Sequence, residues 1–358
     1  MTRTSHFFDH LRDHSEIKLR ILSKFLVPWS AKLGYKVKRR GEAQLWYVDG
    51  FSGPGRYGDG AEGSPIIGAR QALQIMSSSR DYALGCINVE IKRLRFRQLE
   101  KNTQDFRDNG VTIRNLHGDF SSMIGEILEI IGQDDPIVAF IDSFGVKPLK
   151  FDNLLPLITR RGETDIILTF QTAAVPRLVK DYPHYVTQAV NSSRWLDKWG
   201  ERSVGAVIDD LTEQLLRHGR FLAVASYPIR SERDRSPKYH LMLASRSYDA
   251  FELVNDFVCQ EEQQLDQKAF RQLAQSTFLS HIDAEAVGRQ LIELIPRAMQ
   301  DSSLTTRAQI VGHIVLNYWG EWHTGEIRRA VGALINAARI TRHKTGRGRI
   351  DTDRLTLA

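Results

Sequence analysis

Acidic residues and glycines stand directly after three apolar, strand-like segments in the first third of the chain. Asp49 precedes a glycine-rich loop that contains Gly53 and Gly55. Glu90 ends the second segment, and Asp119 follows the third. Parallel strands place their carboxyl ends at one edge of a sheet, where such folds bind ligands. Glycines let the backbone turn tightly and come close to a ligand, so the pattern predicts a ligand site at this edge.

Three classes of ligand compete for this loop. A phosphate-binding P-loop needs a Gly-Lys-Ser/Thr sequence, which does not follow, and this class is excluded. Residues 53–58, GPGRYG, match the GxGxxG pattern of nicotinamide-binding folds, but 73–78 lack the acid required about 20 residues later. S-adenosylmethionine enzymes favour an acid followed four positions later by Gly-x-Gly. Asp49, Gly53 and Gly55 match that spacing, so S-adenosylmethionine is the predicted cofactor.

The other predicted cofactor contacts follow from the same edge of the sheet. The Glu90 carboxylate would accept hydrogen bonds from both ribose hydroxyls. Asp119 would accept from the adenine amino group, with Phe120 packed near the ring and Phe51 in the glycine loop. Each has a purely structural alternative: Glu90 as a loop cap, Asp119 as the N-cap of the following helix, and the glycines as a turn alone.

The fourth strand-like segment ends in the sequence IDSFGVKP, which resembles a substrate-orienting loop. Amino-methylating enzymes carry an acid or amide, two prolines and an aromatic residue here, which bind the target amine and stack an extruded base. Asp142 and Phe144 supply the acid and the aromatic residue, without the prolines and with the aromatic one place early. We therefore predict that Asp142 orients the substrate or acts as a base, beside Phe144. Because methyl transfer is an in-line displacement, positioning supplies much of the catalysis.

Strand-like and helix-like segments alternate through the first 250 residues, which predicts a parallel sheet covered by helices. The predicted strands are 45–49, 83–90, 111–116, 136–142 and 164–170, and then 220–229 and 238–246. The last two are joined by a short polar loop and must be antiparallel. This layout predicts an α/β fold with a Rossmann-like, class I methyltransferase-like sheet. The predicted domains are an N-terminal helical extension (1–44), the α/β domain (45–250), a helical connector (251–300) and a winged-helix domain (301–358).

A basic segment closes the chain and predicts contact with nucleic acid. Residues 301–358 contain nine Lys/Arg and five Asp/Glu, which gives this segment a net charge of +4, out of +6 for the whole chain. Two helices and a hairpin follow one another there, as in a winged helix. The predicted phosphate contacts are Arg328 and Arg329 at the start of the second helix, and Lys344, Arg347 and Arg349 at the hairpin tip. Winged helices that mediate protein contacts are the alternative.

Composition narrows the class of protein further. The 358 residues are 42% hydrophobic, with no run of about 18 apolar residues and no N-terminal signal peptide, so we expect a cytoplasmic protein without membrane contact. Two cysteines, Cys86 and Cys259, are too few for a disulfide framework. No HExxH or clustered His/Cys pattern occurs, so no metal is expected. The oligomeric state is not determined by the sequence.

Several segments together resemble the three-Cys-motif partner protein (TcmP) family. These are HSEIK (14–18), YVDGFSGPGRYGDGAEGSP (47–65), FIDSFG (140–145), IILTF (166–170) and KYHLMLAS (238–245). The resemblance implies a methyltransferase-like domain, a C-terminal winged helix and a protein partner that bears a three-cysteine motif. The chain departs from the family at Leu19, where a second histidine is usual, and at Ser143, where a proline is usual.

Two hypotheses of different classes follow from these observations. The first is an S-adenosylmethionine-dependent methyltransferase-like enzyme that acts on nucleic acid. The second is a non-catalytic protein that binds nucleic acid or recruits a partner and keeps a methyltransferase-like fold. A nicotinamide-dependent enzyme is a third, weaker interpretation.

Overall fold

The computed structural model describes residues 13–40, 44–78, 81–199, 204–231, 234–273, 284–344, 351 and 353–358. The chain divides into two compact units, Met1–Arg246 and Ser247–Ala358. The predicted N-terminal extension falls within the first unit, and the predicted connector falls within the second.

A mixed sheet, seven-stranded over the described residues, forms the centre of the first unit. Its strands are β1 (Gln44–Asp49), β2 (Ala83–Glu90), β3 (Ile113–His117), β4 (Ile137–Ile141), β5 (Thr164–Phe170), β6 (Ala223–Ser231) and β7 (Asp234–Ser245). They lie in the order β3-β2-β1-β4-β5-β7-β6. β7 is antiparallel to β5 and β6, while the other neighbours are parallel. The predicted class I methyltransferase-like sheet is confirmed.

Helices of the first unit connect and cover these strands. They are α1 (Asp13–Arg40), α2 (Ser64–Ser78), α3 (Arg93–Asp108), α4 (Phe120–Ile130), α5 (Phe151–Ile158), α6 (Val175–Asp181), α7 (Pro183–Val190) and α8 (Val204–Gly219). A single 3₁₀ turn, Thr172–Ala174, precedes α6. The alternation of strands and helices explains why β1 to β5 are parallel, because each connecting helix returns the chain to the same edge.

The central strands are buried on both faces. β4 and β5 are buried throughout, and β1 is buried except at its first residue. Continuous apolar strands of this kind are typical of parallel sheets covered on both sides. The strand order reverses between β1 and β4, and such a reversal opens a crevice beyond the carboxyl ends of the two strands. The loops that follow Asp49 and Ile141 therefore meet at this crevice.

The first helix runs further than the sequence suggests. A proline usually ends or bends a helix, and residues 36–42, KVKRRGE, have the composition of a basic turn, but α1 continues to Arg40 with Pro28 inside it. A proline removes one helical hydrogen bond. Buried side chains beyond it, such as Leu33 and Val37, continue the apolar stripe that packs α1 on the first unit and offset that loss.

A polar contact fixes α1 to the sheet. The indole Nε1 of Trp29 donates a hydrogen bond to the Asp165 carboxylate in β5 at 2.6 Å. Burial raises the pKa of Asp165 to about 6. Because both groups are buried, loss of either partner would leave an unsatisfied polar group in the core.

The second unit contains four helices and a hairpin among its described residues. They are α9 (Tyr248–Leu273), α10 (Ala284–Ser302), α11 (Arg307–Asn317), α12 (Thr324–Asn336), β8 (Ile340–His343) and β9 (Arg354–Leu357). Thr306 and Gln309 form a reciprocal capping box at the start of α11. The order of helix, turn, helix and hairpin agrees with the predicted order, and the assignment as a winged helix stays a prediction. None of the helices in the described part of the chain is both long and apolar enough to cross a membrane.

Close packing of α2 on β1 predicts an effect on stability. A Cβ at Gly68 in α2 would lie 2.5 Å from the buried ring of Tyr47, so Gly68→Ala should destabilise the protein by about 1–3 kcal/mol through overpacking. Gly125→Ala is the matched control, since Gly125 lies in α4 with no atom within 4 Å of an added Cβ. The control should be neutral or gain up to about 1 kcal/mol from helix propensity. Urea unfolding measures both, and equal shifts in the two variants would contradict the packing.

Candidate functional site

The glycine loop is bonded to the strands on both sides of β1. The Gly50 amide donates to the Phe140 carbonyl in β4, and the Ser52 amide donates to the Val89 carbonyl in β2, each at 3.0 Å. These bonds use backbone groups just beyond the end of β1, where pairing with the neighbouring strands would otherwise stop. The loop therefore starts from a fixed position at the crevice.

Glycine conformations and two further hydrogen bonds shape the turn itself. Gly53 and Gly55 have φ of 66° and 87°, as predicted for a tight turn and as other residues adopt only with strain. The Asn102 side chain in α3 donates to the Pro54 carbonyl at 2.7 Å. The Gly63 amide donates to the Gly55 carbonyl at 2.8 Å, which closes the loop just before α2.

Asp49 holds this loop from inside the protein. Its carboxylate is fully buried and accepts hydrogen bonds from the Tyr47 hydroxyl at 3.0 Å and the Phe51 amide at 3.2 Å. Burial raises its pKa to about 7, against the opposing effect of hydrogen bonds from Ser64 and Tyr47. The structure thus gives Asp49 a supporting position beneath the loop, and its predicted contact with a ligand stays a prediction.

The acids after β2 and β3 are also engaged by the backbone. Glu90 is buried and accepts a hydrogen bond from the Lys92 amide at 2.5 Å. Burial raises its pKa, against the opposing effect of the Lys92 and Gly53 amides. Asp119 accepts from the Ser121 amide at 3.0 Å and is the N-cap of α4, which is the structural alternative anticipated for this residue.

Two aromatic rings lie directly beneath and beside the loop. The ring centres of Phe51 and Phe120 are 5.6 Å apart. Phe120 is buried in the core, where a Cβ at Gly50 would lie only 3.1 Å from its ring. Phe120 thus supports the loop, while the partly exposed Phe51 reaches the crevice.

A pocket open to solvent lies between α1, the glycine loop and the loop after β4. Its lining consists of Ser15, Lys18, Leu19, Phe51, Ser52, Pro54, Gly55, Arg56, Tyr57, Gly63, Ser64, Asp142 and Phe144. The structure therefore brings together Phe51, Gly55, Asp142 and Phe144 from the predicted site. The predicted contacts after β2 and β3 do not line this pocket.

A buried ion pair dominates the electrostatics of the pocket. The Lys18 ammonium in α1 lies 2.5 Å from Asp142 Oδ2, with side-chain exposures of 5% for Lys18 and 24% for Asp142. It also lies 4.8 Å from the centre of the Tyr239 ring, a cation–π contact. Both residues line the pocket, and Asp142 is the more exposed of the two, so its carboxylate is the member of the pair more accessible to a ligand.

Two tyrosines surround the same carboxylate. The pKa of the Tyr57 phenol and that of the Tyr239 phenol are both raised, first by burial and then by the negative charge of Asp142. Both phenols stay protonated near neutral pH, so they are hydrogen-bond donors. Tyr57 is also hydrogen-bonded to Ser15.

Sequence reasoning from the residues missed Lys18, although a signal was present. The positions three, four and seven residues after it, at Ile21, Leu22 and Phe25, form the buried stripe of α1. A lysine on that stripe must be buried too, and a buried ammonium needs a partner. From the sequence, Lys18 was named only as part of the HSEIK segment (14–18), with no role assigned to it.

The residues predicted to contact nucleic acid lie in different settings in the second unit. Arg328 is paired with the buried carboxylate of Glu252, so a phosphate would have to compete with that pair. Arg329 and Lys344 are exposed, as phosphate contacts must be. Arg347 and Arg349 lie outside the described residues.

Few side chains in the described residues are candidates for metal binding or redox chemistry. No group of three or more His, Cys, Asp or Glu side chains there is placed to hold a metal ion. Cys86 and Cys259 are buried and form no disulfide, and burial raises the pKa of Cys86.

No protein-family model matches the chain, and no curated protein matches it. Solved structures with a similar fold include TYW2 from M. jannaschii in complex with AdoMet, at 10% identity and TM-score 0.36, over 66% of this chain and 76% of that one. The protein LPL1258 from Legionella pneumophila shares 10% identity at TM-score 0.40, over 66% and 86% of the two chains. The Escherichia coli protein yhhF, named as a methyltransferase, shares 15% identity at TM-score 0.30, over 66% and 88%. These similarities are too low to bear on function.

The raised pKa of Asp49 predicts a pH-dependent stability. The folded protein keeps this proton up to about pH 7, whereas an unfolded chain releases it near pH 4. The stabilising contribution is full below about pH 4, is lost as the pH rises to about 7, and stays constant above that. Asp49→Asn, which resembles the protonated acid, should remove this decline, whose size is on the order of a few kcal/mol.

Urea unfolding of both proteins at about pH 4.5 and about pH 7.5 measures the difference. Asp165→Asn is the control, because Asp165 is also buried with a raised pKa but lies away from the loop. Asp165→Asn should remove only the part of the stability decline that Asp165 itself causes. A decline of equal size in the wild type and in Asp49→Asn would show that Asp49 titrates normally.

Proposed function

We propose that the protein is an S-adenosylmethionine-dependent methyltransferase that acts on nucleic acid. The observation that carries this proposal is the pocket that joins Gly55 of the glycine loop to Asp142 and Phe144 at the crevice of a class I methyltransferase-like sheet. A cofactor bound along the glycine loop and a substrate held by the loop after β4 would meet there.

The residues of the glycine loop suit a cofactor with a sugar and an aromatic base. Gly53 and Gly55 have no side chains, and both adopt positive φ. The backbone of the loop can therefore come close to a ligand. The Glu90 carboxylate accepts one backbone bond, from the Lys92 amide, and keeps lone pairs for ribose hydroxyls, since a carboxylate has about four acceptor positions. Ile91, which follows it, is 54% exposed and offers apolar surface for adenine. When bound, S-adenosylmethionine supplies an electrophilic methyl group on a sulfonium.

The loop after β4 would position the methyl acceptor. Asp142 would accept a hydrogen bond from an acceptor N–H and so direct the nitrogen lone pair into the pocket, while Lys18 holds the carboxylate in place. Phe144 is 43% exposed and would stack on the base that carries this nitrogen. Positioning of this kind accounts for a large share of the rate of a displacement reaction.

This loop is held without the prolines that are usual in amino-methylating enzymes. The Ser143 hydroxyl donates to the Gly145 carbonyl at 2.8 Å, and the Gly145 amide donates to the Ser143 carbonyl at 3.0 Å. Gly145 has φ of 97°, which only glycine adopts easily. A serine and a glycine thus fix the turn that presents Phe144.

The nucleic-acid part of the proposal is supported by charge. The net +4 of residues 301–358 and the exposed Arg329 and Lys344 suit a polyanion, whose binding would weaken with salt. In this proposal the second unit selects the polynucleotide and the first unit modifies it. Incubation with labelled S-adenosylmethionine and total nucleic acid, followed by mass spectrometry of the digested nucleosides, tests the proposal and identifies the acceptor.

A second candidate function is favoured by the engaged acids. Asp49, Glu90 and Asp119 all bond to the protein backbone, as they would in a methyltransferase-like protein that no longer binds a cofactor. Such a protein would bind nucleic acid, or recruit a partner such as the three-cysteine protein that the TcmP resemblance implies. Absence of any S-adenosylmethionine binding by the wild type would favour this candidate.

Replacement of Gly53 should abolish cofactor binding. Gly53→Val places a β-branched residue at positive φ beside the predicted cofactor and should weaken S-adenosylmethionine binding at least about tenfold. Gly60→Val is the matched control: Gly60 has φ of 85° but lies at the exposed tip of the same loop. Titration calorimetry measures both variants, and equal affinities for Gly53→Val and the wild type would remove the glycine loop from the cofactor site.

Replacement of Asp142 should separate binding from transfer. Asp142→Asn keeps the shape of the side chain but removes the charge, and should lower the transfer rate by at least about 100-fold while S-adenosylmethionine affinity stays unchanged. The control is Asp152→Asn, an exposed acid in the first turn of α5, which should leave both quantities unchanged. Full activity of Asp142→Asn would exclude the carboxylate from the mechanism.

A further inference from the structure

A cluster of rings and one lysine lies on the surface of the first unit, beside the loop after β4. We define this ring cluster as Tyr182, His184, Tyr185 and Lys147. The ring centres of His184 and Tyr185 are 4.1 Å apart, and that of Tyr182 lies 6.0 Å from Tyr185 and 6.3 Å from His184. The Lys147 ammonium lies 5.0 Å from the centre of the Tyr185 ring.

The ring cluster faces solvent and is not part of the core. Tyr182 is 54% exposed, and His184 is also exposed. The helix that carries them, α7, packs on the first unit through Val186, Ala189 and Val190, which are fully buried. Because α7 is anchored by these aliphatic residues, packing does not explain three rings on its exposed first turn.

Contacts place the ring cluster at the same edge of the sheet as the candidate site. Lys147 belongs to the loop after β4 that also carries Asp142 and Phe144. The Gln171 side chain, just after β5, donates to the Ser143 carbonyl at 3.5 Å, which ties the two loops together. Phe144 and Lys147 are three positions apart in the chain, so their Cα atoms are at most about 10 Å apart. That is the rise of about three nucleotides in a stacked strand.

Charge in the surrounding segments favours a polyanion. Residues 143–150 and 171–185 carry four lysines and arginines against one acid, Asp181; the four are Lys147, Lys150, Arg177 and Lys180. All four basic residues are exposed. Proteins that bind single-stranded nucleic acid combine cations that follow the phosphates with exposed aromatic rings on which bases stack. Duplex bases are already stacked and do not offer their faces.

We propose that the ring cluster binds a single-stranded polynucleotide, DNA or RNA, by stacking unpaired bases on Tyr182 and His184, with Lys147 beside the phosphates. This inference rests on the proposed function and names its substrate class, a single strand or a locally unpaired segment. The strand crosses the ring cluster and delivers the neighbouring base to Phe144 and Asp142. The C-terminal unit, to which the proposed function assigns further phosphate contacts, is the same in every variant of the cluster.

Fluorescence anisotropy of the full-length protein with labelled 20-residue oligonucleotides of mixed sequence tests the proposal; the arms are single-stranded DNA, single-stranded RNA and the DNA duplex. Tyr182→Leu, which keeps bulk but removes the ring, should weaken binding to at least one single strand by about tenfold. Tyr182→Phe keeps the ring and should bind as the wild type does. Lys147→Met should weaken binding and lower its salt dependence.

The matched control is Tyr35→Leu, another exposed tyrosine (65%) near the end of α1. It lies next to Gly34, which contacts Tyr82 just before β2, so it is at the opposite edge of the sheet and should not change binding. Circular dichroism confirms that each variant is folded. The loss in Tyr182→Leu for DNA alone, for RNA alone or for both identifies the strand.

Two results would overturn the inference. Either the wild type binds only duplex, or Tyr182→Leu binds both single strands with wild-type affinity. Calorimetry with S-adenosylmethionine alone keeps the two proposals apart. If the wild type binds the cofactor but no single strand, only the ring-cluster inference is contradicted. If Tyr182→Leu weakens single-strand binding but the wild type never binds the cofactor, only the proposed methyltransferase function is contradicted.

Discussion

The candidate site depends on one buried carboxylate at the end of β1. Asp49 accepts bonds from the Tyr47 hydroxyl and the Phe51 amide, and so fixes the first residues of the glycine loop as they leave the sheet. Without an acceptor there, the Phe51 amide would lose its partner, at a cost of about 1–3 kcal/mol, and the Tyr47 hydroxyl would keep only the Ser64 carbonyl at 3.5 Å. Burial without a cation is itself unfavourable, which is why the pKa of Asp49 rises to about 7. The acid is thus retained for the geometry that it imposes.

A second carboxylate, Asp142, lies across the crevice in the opposite environment. It is paired with the Lys18 ammonium and remains 24% exposed. Removing two charges from water costs about as much as their attraction returns, so such a pair adds little net stability. The pair holds the Asp142 carboxylate, a hydrogen-bond acceptor, at the pocket, near the protonated phenols of Tyr57 and Tyr239. This arrangement suits a residue that orients a ligand, and stability of the fold alone does not explain it.

The sequence predicted the sheet well because its signals are local. β2 and β5 match the predicted segments from end to end, since each is a continuous apolar run with polar residues on both sides. β3 begins two residues later than predicted, because the Val111 amide bonds to the Phe106 carbonyl at the end of α3. α1 passes through Pro28 because tertiary packing outweighs one missing hydrogen bond, and such packing cannot be seen in a local pattern.

The site was harder to predict than the sheet, because an acid at the end of a strand can have either of two roles. It can contact a ligand or cap the next turn, and its position in the sequence is the same in both cases. Asp119 caps α4, and Glu90 accepts from the Lys92 amide. The Lys18–Asp142 pair joins residues 124 positions apart, and no motif records that distance.

The two acids at the crevice lie in contrasting environments. Burial is the largest cause of the raised pKa of Asp49, and the negative charge of Asp142 adds a smaller contribution. Lys18 is paired with Asp142, whereas no cation is bonded to Asp49 among the described contacts. Neighbouring acids in contrasting environments commonly divide their work in this way. A substrate that displaced Lys18 or changed the charge at Asp142 would be felt at Asp49 and, through its bond to the Phe51 amide, in the glycine loop. The two halves of the pocket are therefore coupled by electrostatics as well as by their shared lining.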